Sequence, residues 1–569
     1  MKHRLAQISG LFLIFASAAV LATPCPGEAE LRHLASRHLL AAAAQQAARS
    51  EDPVCRRKGL FLADYLDRTG QGACQVAQQL ETETEPQLLA LRAAFSWRCG
   101  HPREAHASAC QALARDDGQT LAWLILGQVL DARFRPRSAR QAFEEVLKRS
   151  PEQVQALWGL AGLAGSRQER REFLRRFLRA GRRQGARAQR LRSARDNLAL
   201  SVALGDRKLW EIERLDLPSE IELKTLATSP GKLRGLLMAI GTGTQRRIPA
   251  LLDSGASGLH LARSAARKAK LVRLAGGRLF GGGGRGVHRV ERGLLEKLDL
   301  GPLVYRQALG VAAESSLHPR GRYQAIVGLD LFGGLLVTID PSGQRLRLER
   351  APRTSEADDD PLLVDPWAIP FDGVPLLRVE GQLLVPLRIE TERRREEVLA
   401  LIDTGAYKTL LAESLVRGWA GFRHESGGIR AYGGRLNRAG TLHRAELQLG
   451  QMQAKVNKLP VIDLSRRAAL AGIRVAAFLG IDFLQQGCLQ IDLKNGSVVA
   501  TKRPAHRRHS PHSTRTTHGV RRDVSKQLRR PQQGEVLRRR AAGSHRAGAR
   551  SARGSLPRCR AVRGHGWAP

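Results

Sequence analysis

The apolar positions of this 569-residue chain follow two rhythms. From about residue 28 to 200 the sequence is rich in Ala, Leu, Gln, Glu and Arg and poor in Gly, and it reads as a succession of helices. Inside that stretch, Trp123, Leu126, Gly127, Leu130, Ala139, Phe143 and Pro151 occupy offsets that recur about 34 residues away. Leu89, Ala93, Ala105, Ala109 and Ala112 hold the slots one period back, and Leu157 and Leu160 begin the next. Small residues at such positions let paired helices approach, and large ones fill the space between pairs. Beyond residue 215 the rhythm changes to short Leu/Val/Ile runs set between turn residues, as buried strands are. Leu236 to Gly241 and Ile248 to Leu252 flank Thr242-Gly243-Thr244, and Leu383 to Glu390 and Val398 to Ile402 flank a polar run of Thr, Glu and Arg. Each pair predicts a hairpin.

Both of these hairpins lead into nearly the same words. Residues 250–256 read Ala-Leu-Leu-Asp-Ser-Gly-Ala and residues 400–406 read Ala-Leu-Ile-Asp-Thr-Gly-Ala, with Asp253 and Asp403 150 residues apart. The repetition continues outward. Leu261-Ala262-Arg263-Ser264 matches Leu411-Ala412-Glu413-Ser414, and Ala325-Ile326-Val327-Gly328-Leu329-Asp330 matches Ala477-Phe478-Leu479-Gly480-Ile481-Asp482. The spacing from Asp to the later Gly is 75 residues in the first copy and 77 in the second. Each copy also carries a glycine-rich stretch with one aromatic, Gly276–Gly282 around Phe280 and Gly427–Gly434 around Tyr432. Glycine permits the sharp turns and hinge motion of a hairpin that closes over a site. One Asp-Ser-Gly string is an ordinary turn; two copies with a second motif at near-equal spacing are an internal repeat.

These residues resemble the retropepsin-like aspartic peptidase domain, present twice, over roughly residues 220–350 and 365–502. The resemblance implies that Asp253 and Asp403 meet across a pseudo-two-fold axis and together polarise a water that attacks a peptide carbonyl. Two carboxylates about 3 Å apart cannot both ionise, so one serves as acid while the other serves as base. The resemblance further implies that Ser254 and Thr404 brace the paired loops, that Gly255 and Gly405 let the backbones approach, and that Gly328 and Gly480 lie in segments crossing beneath the loops. Phe280 and Tyr432 then belong to flaps that touch substrate, or are ordinary hairpin packing. Asp330 and Asp482 are read either as loop or interface helpers or as turn-capping carboxylates. The two copies pair within one chain or between chains; tethering favours the intrachain arrangement. The helical half resembles a short tetratricopeptide array, which implies either a surface for a peptide or protein partner or a packed spacer.

Composition adjusts this picture at the ends. Met1-Lys2-His3-Arg4 and the apolar run from Ile8 to Ala22, which is shorter than the ~20 residues a membrane span needs, read as a signal peptide over 1–22. The net charge is +40, of which residues 501–569 supply +17, with 19 Lys/Arg against Asp523 and Glu535. That tail has almost no apolar periodicity and is expected to be disordered. It is either an arm for nucleic acid or an anionic surface, or a segment without a selected role; no other part points to nucleic acid. Seven cysteines at irregular spacing, five in the helical half, allow one or two disulfides without assigning any. No zinc-type Cys or His spacing occurs, and neither a metal nor an organic cofactor is expected.

The expected organisation is therefore multidomain. It comprises a signal peptide (1–22), an α-helical tetratricopeptide-like region (23–205), two all-β retropepsin-like domains (215–350 and 367–502) joined by a polar linker (351–366), and a disordered basic tail (503–569). The expected function is that of an exported, periplasmic aspartic endopeptidase with no membrane span after signal cleavage. It would act on peptide or protein substrates, with the helical module a candidate docking surface. The alternative is a non-catalytic peptide-binding scaffold of the cell envelope that keeps the protease fold.

Overall fold

The computed structural model describes residues 71–502, apart from 184–185, 187, 228–232, 245–246, 281–286, 314–316, 318–320, 353–365, 368, 370–372, 426, 432–433 and 465–471. The segments 1–22 and 503–569, and Tyr432, lie outside the described residues. All described residues fall in one compact unit.

A helical region comes first. It runs α1 Gln71–Gln79, α2 Pro86–Cys99, α3 Pro102–Arg115, α4 Thr120–Ala132, α5 Pro136–Arg149, α6 Val154–Gly162, α7 Arg167–Arg183 and α8 Ala188–Leu204. Proline opens α2, α3 and α5, where its missing N–H costs nothing, and Gly100 closes α2 in the left-handed conformation. In α5, Ala139, Ala142, Phe143 and Val146 recur at three- and four-residue steps and are all buried. The Phe143 ring lies against the backbones of Gly127 and Gly159, so a Cβ at either would come within 2.7 Å of it. These two glycines let α4 and α6 close on α5. A disulfide joins Cys74 in α1 to Cys99 in α2, a pairing that seven irregularly spaced cysteines could not reveal.

Three sheets follow. A nine-stranded sheet is built from residues 211–327, and a second nine-stranded sheet from residues 377–479. We call these the first and second lobes. A six-stranded sheet joins them, taking strands from both. At its centre Leu335–Asp340 pairs antiparallel with Gly487–Asp492, Val337 opposite Ile491. Both of these strands end in an aspartate that caps the following turn. Asp340 accepts from the Gly343 N–H, and Asp492 from the Lys494 and Asn495 N–H groups. In Leu335–Asp340 every second residue is buried, the alternation of a sheet with one face on the core.

One hairpin is longer than the apolar pattern alone indicates. Strands Gln382–Thr391 and Arg394–Ile402 pair all the way to Thr391 and Arg394, leaving only Glu392 and Arg393 as the turn. The charged run Arg394 to Glu397 stays in the ladder because its side chains reach solvent while its backbone remains paired.

Helices and lobes share one core. Buried residues of α2 to α6, both lobes and the joining sheet form a single contiguous cluster. Arg133, just past α4, is fully buried. Its Nε donates to Pro366 O (2.9 Å), its Nη1 donates to Gly496 O (2.7 Å) and to Leu376 O, and its guanidinium stacks on Trp367. A buried charge persists only where such acceptors replace water. At the end of α2, the Arg474 N–H donates to Arg98 O (2.9 Å). The helical region is thus joined by buried contacts of Arg133 to the segments bordering the second lobe, and by a half-buried backbone contact to Arg474. No described helix is long and apolar enough to cross a membrane.

Candidate active site

Asp253 follows strand Ile248–Leu252, and Asp403 follows Arg394–Ile402. Each loop is spanned by one short strand from the later motif. Ala325–Val327 runs parallel to the strand entering the first loop and antiparallel to Leu259–Ala262, which leaves it. Ala477–Leu479 does the same between Arg394–Ile402 and Leu410–Ala412. The Asp253 N–H donates to Val327 O and the Asp403 N–H to Leu479 O, both at 3.0 Å. Strands of Leu, Ile, Val, Phe and Ala, buried on both faces, form this crossing.

The two loops interlock within one chain. The Ser254 N–H donates to Thr404 Oγ1 (3.0 Å), and the Thr404 N–H donates to Ser254 Oγ (2.9 Å). Ser254 Oγ in turn donates to Ile402 O, and Thr404 Oγ1 to Leu252 O, both at 2.8 Å. Each hydroxyl is thereby donor and acceptor across the lobe boundary, and both residues are buried. Only Ser or Thr offers this combination on so short a side chain.

The carboxylates lie against the opposite loop. A Cβ added to Gly255 would fall 2.8 Å from Asp403 Cγ, and one added to Gly405 would fall 2.5 Å from Asp253 Oδ2. Glycine at both positions is what admits this approach. Within their own loops, Asp253 Oδ1 accepts from the Gly255 N–H (2.8 Å) and Asp403 Oδ1 from the Ala406 N–H (2.9 Å). Both aspartates are half-buried. Among the described residues no group of three His, Cys, Asp or Glu side chains could hold a metal ion.

Gly328 and Gly480 sit where the crossing strand leaves the loop. Gly328 donates to Gly258 O (2.9 Å), and Gly480 to Thr409 Oγ1 (3.1 Å). A Cβ at either would strike backbone: Ala256 O at 2.6 Å for Gly328, Lys408 O at 2.6 Å for Gly480. Two residues on, Asp330 and Asp482 are loop braces. Asp330 takes the Gly258 N–H on both oxygens (2.7 and 3.0 Å). Asp482 Oδ1 takes the Thr409 N–H, the Thr409 hydroxyl and the Phe483 N–H, at 2.8 to 2.9 Å. Their matching offsets in the two copies were visible, but Gly258 and Thr409, which they brace, lie more than 70 residues away.

Phe280 closes strand Val272–Phe280, opposite Val287 in the hairpin with Val287–Asp299. The corresponding hairpin of the second lobe pairs Gly428–Ala431 with Gly434–Leu449, and Tyr432 falls in the segment left undescribed. One contact adjoining the loops was not foreseen. Ser257, four residues after Asp253, donates its hydroxyl to Gly381 O in a turn of the second lobe (3.1 Å).

No protein-family model matches the chain, and no curated protein matches it. Among solved structures, the crystal structure of an aspartic proteinase from Irpex lacteus is similar at 14% identity, over 50% of this chain and 97% of that one, with a TM-score of 0.34.

Proposed function

We propose that this chain is an aspartic endopeptidase whose Asp253 and Asp403 act as one catalytic pair. The reciprocal bonds between Ser254 and Thr404, which bring each carboxylate against the other loop's glycine, carry the reading. In the proposed reaction the pair holds one proton. The ionised carboxylate takes a proton from water as its oxygen bonds to the peptide carbon, and the protonated one gives its proton to the carbonyl oxygen. The tetrahedral diol then collapses: one carboxyl gives its proton to the nitrogen as the carbon–nitrogen bond breaks and the amine leaves, a diol hydroxyl returns its proton to the other carboxylate, and the pair again holds one proton. This chemistry needs no metal or organic cofactor. The Cys74–Cys99 disulfide supports export to an oxidising compartment such as the periplasm. The tetratricopeptide-like reading of the helices rests on the Trp123 to Pro151 pattern and on the glycine-to-Phe143 packing.

Purified full-length protein incubated with a mixed peptide library, from mildly acidic to neutral pH, tests the proposal. Cleavage blocked by a statine-type inhibitor and lost in both Asp253→Asn and Asp403→Asn supports it. Peptide binding without cleavage would select the scaffold reading instead.

A further inference from the structure

Helix α8 touches both lobes within two turns of its length. Near its start, Arg190 Nη2 donates to Glu380 Oε1 at 2.6 Å, while the guanidinium stacks on Trp158 of α6. Glu380 and Gly381 form the turn between strands Leu377–Val379 and Gln382–Thr391 of the second lobe, both with positive φ. The Gly381 carbonyl is the one that receives the Ser257 hydroxyl from the Asp253 loop. A Cβ on Gly381 would come 2.6 Å from Ser257 Oγ, so turn and loop are in direct contact.

Two turns further along α8, the partner is the first lobe. Asp196 accepts from Arg278 Nη1 at 3.3 and 3.4 Å, and Asn197 Oδ1 accepts from Arg292 Nη1 at 2.9 Å. Arg278 and Arg292 stand on the two strands of the edge hairpin Val272–Phe280 and Val287–Asp299. The Arg292 side chain crosses over Gly277, where a Cβ would lie 2.7 Å from its Nε. Leu200 and Leu204 of α8 bury against Leu294 of the same hairpin, with Leu274 packed at their edge.

We propose that α8 is a strap that sets the position of one moving part in each lobe. Arg190 holds the Glu380–Gly381 turn, and through it the loop of Asp253. Asp196 and Asn197 hold the edge hairpin of the first lobe through Arg278 and Arg292. All three are positioning residues. The consequence for cleavage rests on the peptidase reading; the strap itself does not.

The contacts are partly exposed, with Asp196 17% and Arg190 32% accessible, so their loss changes local opening far more than global stability. Hydrogen exchange on the full-length protein reads this directly. In Asp196→Ala/Asn197→Ala, amides of 272–280 and 287–299 exchange about three- to tenfold faster, while those of Met452–Ile462 are unchanged. In Arg190→Glu, the acceleration falls on 376–382 and 253–258, and the charge-swapped pair Arg190→Glu/Glu380→Arg restores protection. Unchanged hairpin exchange, acceleration that extends equally to Met452–Ile462, or a swap that restores nothing overturns the strap. If the wild-type protein cleaves no peptide, the peptidase reading falls and the exchange pattern still decides the strap. If it cleaves, kcat/KM drops in Arg190→Glu and recovers in the swap; a drop that does not recover counts against Arg190 as a positioning residue.

Discussion

The two lobes are alike where they meet and unlike where they face the rest of the chain. At the meeting point the correspondence is residue for residue: Ser254 with Thr404 and Gly255 with Gly405 make matching contacts, and Asp253 and Asp403 each lie against the opposite glycine, differing in the N–H they accept within their own loops. One shell out, Thr409 stands where the first lobe has Leu259, and its hydroxyl links Gly480 to Asp482. Further out, a fully buried arginine, Arg133, ties the helices to Pro366, Leu376 and the joining-sheet turn at Gly496 beside the second lobe, whereas the first lobe meets α8 through partly exposed polar contacts and a small buried leucine cluster. Symmetry is kept where two halves must build one site. It lapses where each half has a different neighbour.

The largest expected effect tests the symmetric part. Asp253→Asn and Asp403→Asn each lower kcat/KM by about a hundredfold or more, and the double variant is no worse than either single one. Residual activity in only one of the two would break the equivalence and with it the shared-proton scheme. The next effect tests the asymmetry. Arg133→Ala takes the guanidinium donor from three buried carbonyls beside the second lobe, of which Gly496 O keeps the Leu376 N–H, and costs about 3 kcal/mol or more in urea denaturation. Asp196→Ala, on the side of the first lobe, costs about 1 kcal/mol or less. Similar costs would mean that the two lobes are seated alike.

A smaller difference tells whether the loops contribute equally. Ser254→Ala and Thr404→Val each remove a hydroxyl that donates to one buried carbonyl and accepts from one buried N–H. Each is expected to cost about 1–3 kcal/mol, with the two values close together. Behind the loops the values separate. Asp482→Ala costs about 2 kcal/mol, because the Thr409 N–H and hydroxyl both lose their acceptor while the Phe483 N–H keeps Gly480 O, and Asp330→Ala about 1 kcal/mol, because one donor loses its acceptor. Unfolding midpoints of the four variants order them.

How far this was legible in the sequence follows the same division. The interlocked loops were readable because one strand–turn pattern occurs twice, and a repeat shows at any separation. Strands and helices were readable because burial imposes local periods of about 2 and 3.6 residues. Arg133 was not, because a buried arginine looks like any other in a chain with 93 Lys and Arg; its acceptors lie more than 230 residues away. The same holds for Arg190 and Glu380, and for Cys74 and Cys99 among seven cysteines. Contacts that break the repeat leave no pattern, and here they are the ones that seat the helices.

The smallest effect concerns pH and only one lobe. Partial desolvation pushes the Asp330 carboxyl above the usual carboxylate range, against the pull of the Gly258 N–H, and because the residue still meets solvent the effect on stability is small. Burial also pushes the nearby Tyr305 hydroxyl up to about 12 and the His260 ring below its ordinary value. An acid whose folded value lies above its unfolded one binds its proton more tightly when folded. Its stabilising contribution is complete below the ordinary Asp range and is lost as pH rises through the raised folded value. His260 has the opposite sign: its contribution is complete above the ordinary His value and is lost as pH falls through the depressed folded one. Asp330→Asn keeps an oxygen for the Gly258 N–H and removes the first slope; without the Asp330 charge the His260 ring falls further, which changes the difference in the same direction. Stability of the wild type minus that of Asp330→Asn should therefore decline in urea titrations as pH rises from the ordinary Asp range through the raised folded value. A difference that stays level, or rises, would show that the Gly258 contact outweighs burial and that the first lobe's brace is as well satisfied as the second's.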